Sequence, residues 1–158
     1  MENFQCIHVD DPSEPMRQLL FVTPDILPTA WPHAKELLME GGKYWREWAT
    51  LGSIYENVLS RKKQLWLMNS ETEFILGMLT EILNWPSHSE LKILWMGGKE
   101  FDTGAHLFLD YIELWSRRQG VSKISLKGRK GWVRKLKAFD YELTEYVMTK
   151  DISGIREH

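Results

Sequence analysis

Residues 91–150 read as strand, glycine pair, helix, strand, a second glycine-marked turn, helix and strand, and that order constrains the fold more than any single residue does. The apolar run Leu91, Ile93, Leu94, Trp95 and Met96, a strand over 91–96, stops at Gly97 and Gly98. Leu107, Phe108, Tyr111, Ile112, Leu114 and Trp115 then recur at the spacing of one helix face over 103–119, closed by Gly120. A short strand over 123–126 follows. Gly128-Arg129-Lys130-Gly131-Trp132 opens a helix over 131–138, and the alternation over 141–149 predicts a last strand. Both glycine-marked helix starts present backbone N–H groups with no intrahelical partner, which suit a phosphate-rich ligand.

Upstream, Leu19, Leu20, Phe21 and Val22 predict a buried strand over 18–23, stopped by Pro24 and Pro28. After Trp31-Pro32 the spacing of Ala34, Leu37 and Leu38 is helical up to Gly41-Gly42. Trp45, Trp48, Leu51, Ile54, Tyr55, Val58 and Leu59 predict one amphipathic helix over 44–60, its aromatic stripe facing the core. Two strands over 64–68 and 74–83, turning at Asn69-Ser70, read as a hairpin, and Trp85-Pro86-Ser87 separates them from the strand at 91–96. The run Phe4 to Val9 is either an N-terminal extension or an extra strand.

At 158 residues the chain has the size of one ordinary domain, with 1–17 as the extension and 18–152 as the core. A net charge of −2 argues against a dedicated nucleic-acid binder. The charge is uneven, however: residues 123–137 carry seven Lys and Arg and no acid. The single cysteine, Cys6, has no partner for an intramolecular disulfide, and no apolar run of membrane-spanning length or signal peptide is present, so a soluble protein of a reducing compartment is expected. His8, His33, His88, His106 and His158 are scattered, without ligand spacing, so no metal is expected.

The order β, α, α, β, β, β, α, β, α, β resembles that of the GCN5-related N-acetyltransferase (GNAT) fold over about 19–150. More narrowly, the chain resembles the GNAT-like proteins of tailed bacteriophages and prophages. The stretches that carry this are Trp31-Pro32, Gln64-Leu65-Trp66, Thr80-Glu81-Ile82 with Trp85-Pro86, Trp95-Met96-Gly97-Gly98-Lys99, and Gly128-Arg129-Lys130-Gly131-Trp132-Val133-Arg134-Lys135-Leu136. The resemblance implies an α/β (α+β) single-domain fold, with a mixed, mostly antiparallel sheet of six to seven strands and about four helices. A seventh strand would fall beyond 150, so a sheet edge is left for a partner or a second copy to cover.

The activity implied is acyl transfer from acetyl-CoA to an amine on a small molecule or a protein. In the family the strand before the glycine loop pairs with the pantetheine arm, and the next helix N-terminus holds the diphosphate. Those roles fall on Leu94, Trp95, Met96, Gly97, Gly98, Gly104 and Ala105, with the loop at 97–105, and on Arg129. The general base carries over to Glu81. This sequence departs from the family pattern at three places. Phe101 and His106 stand at the ends of the loop motif, beside Glu100 and Asp102, while Arg129 and Leu136 replace the family's Asn and acid Tyr, so Tyr146 or Tyr141 would have to serve as the acid.

Three classes of function stay open: an acetyltransferase, a catalytically inactive GNAT-like virion or assembly protein, and a host-directed binding module whose basic helix engages nucleic acid or an acidic host protein. A phage setting implies the host cytoplasm or the virion.

Overall fold

A computed structural model describes residues 6–9, 17–40, 44–71, 73–99, 101–127, 130–145 and 147–154. Contacts divide the chain into two units, Met1–Lys127 and Gly128–His158. The first holds a six-stranded sheet in chain order: β1 (Cys6–Val9), β2 (Arg17–Val22), β3 (Gln64–Asn69), β4 (Phe74–Asn84), β5 (Ser89–Gly98) and β6 (Lys123–Leu126). All neighbours are antiparallel except β5 and β6, which run parallel. Four helices accompany the strands: α1 (Leu27–Glu40), α2 (Leu51–Leu59), α3 (Phe101–Arg118) and, in the second unit, α4 (Lys130–Lys137). No helix among the described residues is long and apolar enough to cross a membrane.

Strand alternation sorts the core between the two faces of the sheet. Leu20, Val22, Leu65, Leu67, Leu79 and Trp95 pack with Leu27, Ala34, Leu38, Ile54 and Val58 of α1 and α2. On the opposite face Trp66 meets Phe21, Tyr111 and Trp115, with ring centroids 4.5, 5.9 and 4.9 Å away, so α3 is seated through aromatic edges. The indole and hydroxyl that meet there are satisfied: the Trp66 indole donates to Thr80 Oγ1 at 3.1 Å, and the Thr80 hydroxyl donates to Gln64 Oε1 at 2.9 Å.

Three sequence expectations are corrected. The helix expected over 44–60 is two pieces, a 3₁₀ turn at Tyr44–Glu47 and then α2. Thr50 interrupts it because its side chain is better used as a cap: Thr50 Oγ1 accepts from the Ser53 N–H at 3.1 Å, and Ser53 Oγ accepts from the Thr50 N–H at 2.9 Å. Trp45 still reaches the core, its indole donating to the Leu38 carbonyl at 2.8 Å, whereas Trp48 is left exposed. Replacing Thr50 by Ala should cost about 1 kcal/mol, read as a lower midpoint in urea at unchanged slope.

The first helix starts before Trp31-Pro32, not after it. Pro28 sits in the first turn, where no intrahelical donor is needed, and only Pro32 forfeits a bond. Of the two alternatives for residues 1–17, the extra strand is the one formed, since β1 pairs with β2 in register Cys6↔Leu20. Finally, the strand expected over 141–149 is absent among the described residues of that segment. Its alternation places Glu145 in the middle of the would-be apolar face, and a period-two pattern becomes a strand only where a neighbour accepts its hydrogen bonds.

Candidate active site

The site is built on β5. Its hydrogen-bonding partner on one side, β4, follows it to the end, from Asn84↔Ser89 to Leu76↔Gly98. On the other side β6 pairs only with Glu90–Ile93. From Leu94 onward the outer flank of β5 carries no strand among the described residues, and its backbone N–H and C=O groups there are unpaired by the sheet. The change begins at a bulge: Leu79 is opposite Trp95 and Thr80 opposite Ile93, so Leu94 is the extra residue. Leu94 and Trp95 both pack toward α1 and α2, whereas Leu91 and Ile93 are buried on the other face.

Gly98 ends the strand at φ +134°, and a Cβ there would lie 2.3 Å from the Ile75 carbonyl oxygen. No other residue type fits that close approach. The next N–H, that of Lys99, donates to the same Ile75 oxygen at 2.7 Å, so the chain leaves the sheet at a fixed point and α3 begins at Phe101.

The structure therefore puts Leu94, Trp95, Met96, Gly97 and Gly98 on one stretch of backbone beyond the pairing with β6. It shortens the expected loop of 97–105. Gly97 and Gly98 belong to β5, and Gly104 and Ala105 lie within α3, buried. A Cβ on Gly104 would come within 2.5 Å of Leu76 Cδ1 and 3.3 Å of Met68 Sδ, so this glycine lets α3 approach the sheet closely. Arg129 and Tyr146 lie outside the described residues. Leu136, at the position the resemblance gives to a tyrosine, is a buried leucine.

Glu81 is on β4 directly opposite Lys92, and directly opposed residues project from the same face. It is half-buried and makes no hydrogen bond or ion pair among the described residues. The unpaired flank starts about two residues further along, roughly 7 Å of strand rise, on the edge of β5 turned away from β4. The Gln64, Thr80 and Trp66 hydrogen bonds fix the β4 backbone immediately before it.

The sequence did not single out a cleft of about 260 Å³ where α1 passes the β3–β4 turn, lined by Glu36, Glu40, Glu71, Glu73 and Lys99 among others. The Lys99 ammonium lies 3.3 Å from Glu73 Oε2. Its pKa is raised by the hydrogen bond to Glu73, then by the charges of Glu73, Glu40 and Glu36. Four carboxylates around one ammonium make this cleft favourable to cations. These residues come from three separate segments, and the i, i+4 spacing of Glu36 and Glu40 is the only sign of them in the sequence.

No protein-family model matches the chain, and no curated protein matches its sequence. Solved structures do match. A GCN5-related N-acetyltransferase from Ralstonia eutropha superposes with a TM-score of 0.61 at 15% identity, over 87% of this chain and 99% of its own. A predicted acetyltransferase from Clostridium acetobutylicum, solved with acetyl-CoA, gives 0.62 at 12% identity, over 87% and 97%. An aminoglycoside acetyltransferase from an uncultured soil metagenomic sample, in complex with sisomicin, gives 0.63 at 8% identity, over 85% and 97%. At such identities likeness establishes architecture alone, and the architecture of this chain is the GCN5-related N-acetyltransferase fold.

Proposed function

We propose that the chain binds acetyl-CoA along the outer flank of β5 and transfers its acetyl group to an amine. The observation that carries this reading is the unpaired backbone of residues 94–98, which begins at a bulge and ends at a glycine turn leading into α3. An extended arm with alternating amide donors and acceptors fits such a flank as an added strand does. Gly97 and Gly98 place no side chain in its way, and the N-terminus of α3 follows as a place for its diphosphate. When bound, acetyl-CoA supplies an activated thioester carbonyl.

The chain's own residues supply positioning and proton transfer. Backbone groups of Leu94, Trp95 and Met96 hold the arm in register. Glu81, through a water, takes the proton that the acceptor ammonium must lose before its nitrogen can form the new C–N bond as the C–S bond breaks. The departing thiolate regains a proton, a task we assign to Tyr146. Gly104, Ala105 and Arg129 complete the proposed cofactor set, the first two by setting α3 against the sheet. The acceptor is a small-molecule or protein amine.

A second reading, a GNAT-like scaffold without turnover in a phage particle or its assembly, is favoured by one observation, the buried Leu136 where the resemblance puts an acid. The phage setting itself rests on the sequence resemblance.

The test of binding is thermal unfolding with acetyl-CoA. At 100 times its dissociation constant a ligand adds about 2.7 kcal/mol to stability. The melting temperature should then rise by about 5 to 10 °C, and no rise at millimolar acetyl-CoA would remove the proposal.

A further inference from the structure

Beyond the apolar core, the α1 and α2 face of the sheet carries a row of polar side chains. Glu81 of β4 is directly opposite Lys92 of β5, and Lys92 is in register with Ser125 of β6. Residues in register project from one face, and alternation from Leu79, which packs with α1 and α2, identifies that face. All three side chains are half-buried. The row lies two residues before Leu94, so it crosses β5 just short of where the unpaired flank opens.

The two charges of the row are not spent on one another. Ser125 is committed, its hydroxyl donating to Glu90 Oε1 at 3.1 Å. Glu81 and Lys92 each make no hydrogen bond or ion pair among the described residues. Yet directly opposed side chains start roughly 5 Å apart, and an opposite-charge pair in that position is stabilising. A half-buried carboxylate and a half-buried ammonium are thus presented side by side with their bonding capacity open. The ligand that would use both carries the reverse pair, an ammonium for Glu81 and an anion for Lys92.

We infer that the acceptor is an amine that also bears an anionic group, a carboxylate or a phosphate, and that Lys92 is the residue that reads the anion. This rests on the acetyl-CoA reading above and narrows its acceptor. In that reading the diphosphate lies at α3, so the thioester end of the arm falls near Leu94, next to the row. Glu81 first pairs with the acceptor ammonium and then takes its proton through water, while Lys92 holds the anion by a charge-assisted hydrogen bond. A diamine meets a repelling ammonium where an amino acid meets an attracting one, so the row rejects as well as binds.

The test compares acetylation of matched amines by the full chain: β-alanine against β-alaninamide, and phosphoethanolamine against ethanolamine. The anionic member of at least one pair should be preferred about tenfold or more in kcat/KM, and which pair shows it separates carboxylate from phosphate. Lys92→Gln should collapse that preference to about one by raising KM for the anionic amine, and Lys92→Arg should restore most of it. A lysine that served the sheet alone would not change the ratio between two substrates. Equal rates within both pairs, or a preference that survives in Lys92→Gln, overturn the inference and leave the proposed function standing. Acetyl-CoA binding without turnover of any of the four amines overturns it as well. Should the Gln variant fail to fold, the ratios of wild type and Lys92→Arg decide. If wild type neither binds acetyl-CoA nor acetylates any of the four, the inference and the proposed function fall together.

Discussion

Glu81→Gln should lower acetyl-CoA-dependent acetylation of an amine by about 10²- to 10⁴-fold while leaving the melting temperature close to that of wild type. The size of the effect follows from what is removed. A glutamine is nearly isosteric, so the β4 backbone held by the Gln64, Thr80 and Trp66 hydrogen bonds should not move. What disappears is the one carboxylate on β4. Because Glu81 is half-buried and makes no ion pair of its own among the described residues, little stability depends on its charge. The measurement is kcat/KM over a panel of amines, with acetyl-CoA binding followed in parallel. Equal rates for variant and wild type would take Glu81 out of the mechanism. Intact acetyl-CoA binding with no turnover in either protein would favour the scaffold reading instead.

The largest structural effect is expected at Gly98. Placing Val there should destabilise the fold by about 3 to 5 kcal/mol, seen as a drop of roughly 10 °C in the melting temperature. Two costs add. A backbone at φ +134° is hostile to any side chain, and the new Cβ would stand 2.3 Å from a backbone oxygen, that of Ile75, which cannot swing aside as a side-chain tip would. That oxygen also accepts the Lys99 N–H, so moving it breaks the contact that fixes where α3 begins. A Gly98→Val chain that melts like wild type would show that the strand end is not held in this conformation.

Both residues stand out in the sequence, though for unequal reasons. Gly98 announces itself as the second of a glycine pair after an apolar run, and Glu81 is a carboxylate inside an otherwise apolar strand. The strands at 64–68, 74–83 and 123–126 and the helix at 103–119 were likewise readable, because periodicity is a local property of the chain. The rest depended on neighbours. Thr50 breaks a helix whose apolar spacing runs straight through it, since a cap competes with periodicity and leaves the pattern unchanged. Gly104 looked like loop chemistry, and only the nearness of Leu76 and Met68 reveals it as a packing residue. The segment at 141–149 alternates like a strand, but whether a partner exists to pair with it is not written in its own residues. The acidic cleft needed three distant segments brought together before its charge could be summed.

The bulge at Leu94 makes β5 a strand with two phases. Up to Ile93 its odd-numbered residues face α3, and from Trp95 onward they face α1 and α2, because one residue has been counted twice against β4. Substitution and length change should therefore differ sharply in tolerance along this strand. Exchanging Leu94 for another apolar residue alters one side chain. Deleting it would restore a single phase and leave Trp95 and Gly97 on the side of α1 and α2, because Thr80 and Leu79 already stand opposite Ile93 and Trp95. Deleting Met96, by contrast, would turn Gly97 and Gly98 to the opposite faces, so the frame of the strand beyond the bulge is constrained more tightly than its composition.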